Sequence, residues 1–137
     1  MEERYVILLQ HPYGHDARFL LTRKSGGPLL EFPSFSKITR TSNKEAVKNG
    51  LEKLLGAGRF NIHRIAYVIH QEPRKLYALS IYSVIVDHIP EQLALGNNHE
   101  WLSRKEINER SAQMSALMQL AIVPCLEDES AWPTRSV

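Results

Sequence analysis

Cys125 is the only cysteine in the chain, so no intrachain disulfide forms and no cysteine cluster holds zinc. The apolar runs are short and interrupted, and none is long enough to cross a bilayer, which predicts no membrane association. An excess of one charge is also missing. Lys and Arg number 17 against 15 Asp and Glu, a formal +2, which is too little to mark a nucleic-acid-binding protein or to support an RNA partner. The start, Met1-Glu2-Glu3-Arg4, lacks the basic and apolar regions of a secretory signal. Repeats, low-complexity tracts and interdomain linkers are absent as well. These absences predict a cytoplasmic protein in a reducing compartment.

What is present suits one globular unit. The 137 residues are 43% hydrophobic and 23% charged, enough for a real core. Residues 1–124 read as a single domain and 125–137 as a polar, loosely held tail. Tyr5–Leu9 is a run of strand formers, followed by the turn residues His11-Pro12-Tyr13-Gly14. A second strand is predicted over Ala17–Thr22 and a third over Leu29–Pro33. Lys24-Ser25-Gly26-Gly27-Pro28 between them is a loop by composition. Two longer strands follow at Ile62–His70 and Leu76–Val86. Both alternating sets of the second are largely apolar, so it is expected to be covered on both faces. Trp101–Ser103 is a short strand, with Ser103 capping a turn through Ile107. A last helix is predicted over 111–123.

A helix is also predicted from Ser42 or Asn43 to Leu55. Ser42 with Glu45 is a capping pair, and Val47, Leu51, Leu54 and Leu55 share one face. Gly56 stands where a C-cap glycine belongs. Gly50 is the anomaly, because a glycine inside a helix costs roughly 1 kcal/mol against alanine. Propensity alone predicts that Gly50→Glu would gain several tenths of a kcal/mol. The plain explanation for such a glycine is close packing against a neighbouring element.

The order of these pieces resembles the Nudix family over about residues 4–123. Ala17–Arg23 (ARFLLTR) resembles the family's second strand, which ends in a basic residue. Glu31-Phe32-Pro33 resembles the start of its hallmark segment. Glu45-Ala46 matches the acidic-alanine pair of its helix, and Gly56 the glycine that ends the motif. His99-Glu100-Trp101-Leu102-Ser103, with Lys105-Glu106-Ile107, resembles its late strand and turn. The resemblance implies a Nudix-like α/β/α sandwich with a mixed β-sheet. It also implies Mg²⁺-dependent hydrolysis of a nucleoside diphosphate linked to another group.

The family motif runs glycine, five residues, glutamate, seven residues, then Arg-Glu-apolar-any-Glu-Glu-any-Gly. With its last glycine on Gly56, Phe35 takes the place of the first glycine and Thr41 that of the first glutamate. Asn49, Gly50, Leu51, Glu52, Lys53 and Leu54 replace Arg-Glu-apolar-any-Glu-Glu. The metal-binding carboxylates would stand at 50, 53 and 54, and here they are Gly50, Lys53 and Leu54. Mg²⁺ needs oxygen ligands, so the box is degenerate and no metal site is expected. Glu52 survives at the position the motif leaves free, about 100° or more around the helix from the others.

The resemblance suggests other roles. Arg23 and Lys24 end the second strand where relatives contact phosphate; as plain residues they are a solvated strand end. Glu31 would brace the motif loop or read a base. Phe35 would partly fill the space of a pyrophosphate. Glu100 would be a fragment of a site, or a rim residue beside Trp101. Lys53 would hold a phosphate with its ammonium where the metal stood. His11 and His15 are spaced like helical metal ligands, but Pro12 and Gly14 indicate a turn. The leading expectation is a non-hydrolytic domain that binds a nucleotide or other phosphate-bearing small molecule, or regulates through it, without cofactor. Two alternatives remain. One is a divergent hydrolase that uses Mg²⁺ through Glu31, Glu45 or Glu100, with Glu100 and Glu52 as catalytic candidates. The other is a structural subunit, such as one half of a homodimer.

Overall fold

The computed structural model describes residues 1–11, 17–23, 27–37, 42–56, 58–86, 88–89 and 98–124. Lys24, Thr41, His15, Cys125 and the tail 125–137 lie outside them, so the expectations at those positions are not addressed. Among the described residues seven strands form one mixed sheet: β1 (Glu2–His11), β2 (Arg18–Arg23), β3 (Leu30–Glu31), β4 (Ser34–Ser36), β5 (Phe60–Glu72), β6 (Lys75–Val86) and β7 (His99–Ser103). Helix α1 spans Asn43–Leu55 and α2 spans Arg104–Glu109.

The centre of the sheet is the parallel pair β1–β6, from Glu2↔Tyr77 to Gln10↔Ile85. β5 adds antiparallel to β6, with an irregularity between Arg64 and Ala66. On its other edge β1 meets β2 only at Gln10↔Phe19 and His11↔Arg18, and then the two strands part. Residues 30–36 fill the gap. β3 pairs with the end of β2, the Pro33 carbonyl accepts from the Ile7 N–H at 2.9 Å, and β4 pairs with the start of β1. The predicted third strand, Leu29–Pro33, is therefore shortened to Leu30–Glu31, and a further strand not predicted from the sequence follows Pro33. A proline has no N–H to give a ladder, but its carbonyl can still bond. β7 completes the sheet on β2, from Arg18↔Ser103 to Thr22↔His99.

Side chains on a strand alternate between faces, so the buried sheet has two cores. Val6, Leu8, Phe19, Leu21, Leu79 and Ile81 pack on one face against Ile107, Met114, Leu117, Met118 and Ile122. Tyr5, Ile7, Leu9, Leu20, Tyr82 and Val84 pack on the other against Ala46, Val47, Leu51 and Leu54 of α1. The result is the α/β/α sandwich with a mixed sheet that the sequence implied. The double coverage of β6 follows its doubly apolar pattern. Among the described residues no helix is long and apolar enough to cross a membrane.

Local signals set the helix ends. The Ser42 hydroxyl accepts from the Glu45 N–H at 3.3 Å. Gly56 closes α1 at φ 84°, and its N–H reaches the Glu52 carbonyl at 2.8 Å. This backbone region favours glycine. At α2, Ser103 and Glu106 form a reciprocal capping box. The predicted 111–123 helix is a correction. Ser111–Gln113 is a 3₁₀ turn, Met114 then pairs in parallel with Leu30, and helix resumes at 116 with a π-helical stretch over Met118–Ile122. Ser115 restarts it, its hydroxyl accepting from the Met118 N–H at 3.3 Å. The apolar spacing of 114, 117 and 118 suits one continuous helix, but the bridge at Leu30 takes Met114 out of it.

Ser103→Ala removes one half of the capping box that turns β7 into α2. It is expected to lower unfolding stability by about 1 kcal/mol. Urea denaturation should show a lower midpoint with an unchanged slope.

Candidate functional site

Helix α1 presents Ala46, Val47, Gly50, Leu51 and Leu54 to the sheet. Gly50 lies on this buried stripe, and what faces it is Phe35. A Cβ built on Gly50 would stand 2.5 Å from Phe35 Cε2, 2.6 Å from Cδ2 and 2.8 Å from Cζ. Carbon atoms in contact prefer about 3.5–4.0 Å. The glycine is thus the space that the phenyl ring occupies. Phe35 is placed by β4, where it pairs with Tyr5, and it packs against the α1-side core. This corrects the propensity-based expectation for Gly50→Glu, because any side chain at residue 50 must first displace the ring.

Of the other two positions of the motif, one shares this stripe and one faces away from it. Leu54 is buried in the α1-side core, while Lys53 is exposed. Glu52 is half-buried and Glu45 exposed. Among the described residues no three His, Cys, Asp or Glu side chains come together as a metal site would require. The groups at 50, 53 and 54 do not fit a divalent cation: one is filled by a ring, one is an ammonium and one is a core leucine.

The remaining sequence candidates fall on two sides of the sheet. Directly paired residues on adjacent strands share a face. Glu31, half-buried, pairs with Thr22, which also pairs with His99; these lie on the α1 side with Trp101. Arg23 and Glu100 lie on the α2 side and meet there. Arg23 donates to Glu100 Oε2 at 2.9 Å and to the Pro28 carbonyl at 3.1 Å. Arg110, just past α2, donates to both Glu100 oxygens at 3.0 and 3.1 Å, and also to Gln113. Sequence reasoning missed Arg110. It lies beyond the last resemblance motif, and the turn of α2 that brings it back onto Glu100, ten residues earlier, leaves no periodic signal.

The Arg110 guanidinium, and then that of Arg23, holds the Glu100 carboxyl below its usual range. The same pair holds the Arg110 guanidinium above its own. A carboxylate fixed in this way is a weak base, and a cation bound to it would sit beside two positive charges. Chemically the triad is a clamp that ties β2, β7 and the segment after α2. Arg23, committed to Glu100 on the α2 side, does not converge with Lys53 on α1.

A small cleft lies on the α1 side, near the start of that helix. It measures about 70 Å³ and is lined by Lys37, Asn43, Arg64, Tyr67, Ala78 and Ser80 with the start of β1. Among the described residues, none of the sequence candidates lines it. Its floor comes from cross-strand register, which periodicity within one segment does not reveal.

Two outcomes test this geometry. Gly50→Ala should destabilise the protein despite its better helix propensity, and in a Phe35→Ala background the same change should be neutral or stabilising. Thermal melts of the four proteins in this cycle measure the coupling. A folded-state pKa below the unfolded value gives stability that is present above the unfolded pKa and lost as pH falls through the folded one. The stability advantage over Glu100→Gln should therefore be full at neutral pH and disappear on acidification below the usual carboxylate range. Glu100 is 35% exposed, so solvent screening keeps that advantage modest.

No protein-family model and no curated protein sequence matches the chain. Solved structures do. The C-terminal domain of mouse MUTYH, in complex with human PCNA, superposes with a TM-score of 0.71 at 17% identity, over 100% of this chain and 94% of that one. A NUDIX hydrolase from Nitrosomonas europaea gives 0.72 at 16% identity, over 95% and 88%. The NUDIX domain of Shewanella oneidensis NrtR, complexed with ADP ribose, gives 0.66 at 12%, over 93% and 86%. At such identities the likeness is one of fold, and the chain has the fold of the Nudix structures.

Proposed function

We propose that this is a Nudix-fold binding or regulatory domain for a nucleotide or other phosphate-bearing small molecule, without Mg²⁺-dependent pyrophosphohydrolase activity. The observation that carries the reading is the Phe35 ring standing against Gly50. The family register puts a glycine at the first position and a metal-binding glutamate at the second. Here the bulk has moved from the helix to strand β4. Without metal, the charge developing on a pyrophosphate leaving group has no fixed counter-charge at α1, and such electrostatic stabilisation is a large share of catalysis. Binding needs less, namely donors and cations around one phosphate. The NrtR NUDIX domain complexed with ADP ribose makes such a ligand a reasonable first probe.

The divergent-hydrolase reading has less support. Glu31 and Glu100 lie on opposite faces of the sheet, and Glu100 is held by two arginines. Glu45 is exposed on the first turn of α1. These carboxylates do not surround one point.

Incubation with ADP-ribose, dinucleoside polyphosphates or nucleoside triphosphates, in millimolar Mg²⁺ or Mn²⁺, should give no turnover. ADP-ribose alone should raise the melting temperature in a concentration-dependent way, since a ligand that binds only the folded state stabilises it. Reproducible metal-dependent turnover abolished by Glu100→Gln would instead establish the hydrolase.

A further inference from the structure

On the α1 side of the sheet, one row of paired positions crosses four strands: Phe35 on β4, Tyr5 on β1, Ser80 on β6 and Tyr67 on β5. The adjoining row is Glu3, Ala78 and Ile69. Ser80 and Ala78 are the small members of these rows, so β6 dips between taller neighbours. The dip is the floor of the 70 Å³ cleft, which has room for one small polyatomic group.

The polar groups around it are mostly donors. Ser80 is only 7% exposed, and its hydroxyl has no hydrogen-bond partner among the described residues. The oxygen opens into the cleft, so whatever occupies the cleft, water or a ligand, is what bonds to it. The Tyr5 hydroxyl donates to Asn43 Oδ1 at 2.7 Å, which leaves the Asn43 amide nitrogen free to donate. Asn43 opens the 13-residue helix α1, whose first N–H groups and dipole favour an anion. Lys37 is drawn to the cleft by Glu3, with Nζ 3.2 Å from its carboxylate and the Lys37 N–H 3.1 Å from the Glu3 carbonyl. Arg64 is exposed and makes no ion pair among the described residues. Lys37 and Arg64 together outweigh Glu3. Tyr67, 54% exposed, offers an aromatic face at the rim.

We propose that this cleft binds a phosphomonoester group, held by the Ser80 hydroxyl, the Asn43 amide, Lys37 and Arg64. The site rests on the binding-domain reading above and gives that reading a location. It is separate from Gly50, Lys53 and Leu54, and from the Arg23–Glu100–Arg110 clamp. The shared chemistry is the phosphate group, whether free or carried by a nucleoside. In the second case the Tyr67 ring lies where a base or sugar would extend.

The test is an amide NMR titration of the full chain with inorganic phosphate and, separately, with AMP. Saturable shifts are expected at Asn43, Lys44, Arg64, Tyr67 and Ser80. Arg64→Gln should weaken phosphate about tenfold, the usual size for losing a charge-assisted hydrogen bond. Ser80→Val fills the dip and should abolish binding. If Ser80→Val does not fold, Arg64→Gln, at an exposed residue, still decides. AMP binding tighter than phosphate, with the gain lost in Tyr67→Ala, identifies a nucleotide as the source. Equal affinities identify the phosphate group alone, and both results support the site. Affinity unchanged in Arg64→Gln overturns it. AMP or ADP-ribose shifting residues elsewhere also overturns this site but leaves the binding-domain reading intact. Failure of phosphate, AMP and ADP-ribose to shift any residue overturns both.

Discussion

The Phe35 ring against Gly50 is the constraint around which the α1 side is arranged. β1 and β2 diverge, and residues 30–36 enter the gap between them. That insertion carries Phe35 onto the face where α1 must pack. A side chain at residue 50 would hold the helix away, and the core formed by Val47, Leu51 and Leu54 with Tyr5, Ile7 and Leu9 would open. Glycine lets the helix backbone close on the ring. The helix gives up some propensity in exchange for burial, which stabilises by about 25 cal/mol per Å² of apolar area. The same contact keeps a carboxylate out of that position, so packing and chemistry are decided by one pair of residues.

The other face is organised by charge. Glu100 on β7 lies between Arg23 at the end of β2 and Arg110 just past α2. The pairs are half-exposed, and such pairs contribute little stability individually. Bidentate geometry and a shared carboxylate make this one more specific than a single surface ion pair. Its effect is to fix where the segment after α2 leaves the sheet, just before Met114 bridges Leu30.

Much of the architecture was legible in the sequence. The alternation in β6, the amphipathic stripe of α1, the Ser42 and Ser103 caps and the Gly56 stop are local patterns with local causes, and they stand as expected. Three features were not legible, for one reason. The reason for Gly50 lies in Phe35, the break at Met114 lies in Leu30, and the second partner of Glu100, besides Arg23, is Arg110. Each depends on which strand or turn is brought alongside, and no period along the chain encodes that. The cleft is the same case: Ala78 and Ser80 look like unremarkable members of a buried strand until Tyr5 and Tyr67 are set on either side.

The parallel pairing of β1 with β6 has a consequence for how this chain reaches its structure. Glu2 meets Tyr77 and Gln10 meets Ile85, so paired residues of the two central strands stand 75 positions apart, more than half of the 137-residue length. β1 therefore waits, apolar and without its main partner, until β6 is available. The β5–β6 hairpin is local by comparison and can form first. Docking of β1 onto that hairpin closes the long loop and is the step with the largest entropy to overcome. Until then Val6–Leu9 is an unpaired hydrophobic strand, the segment through which a nascent or destabilised chain is most exposed to self-association.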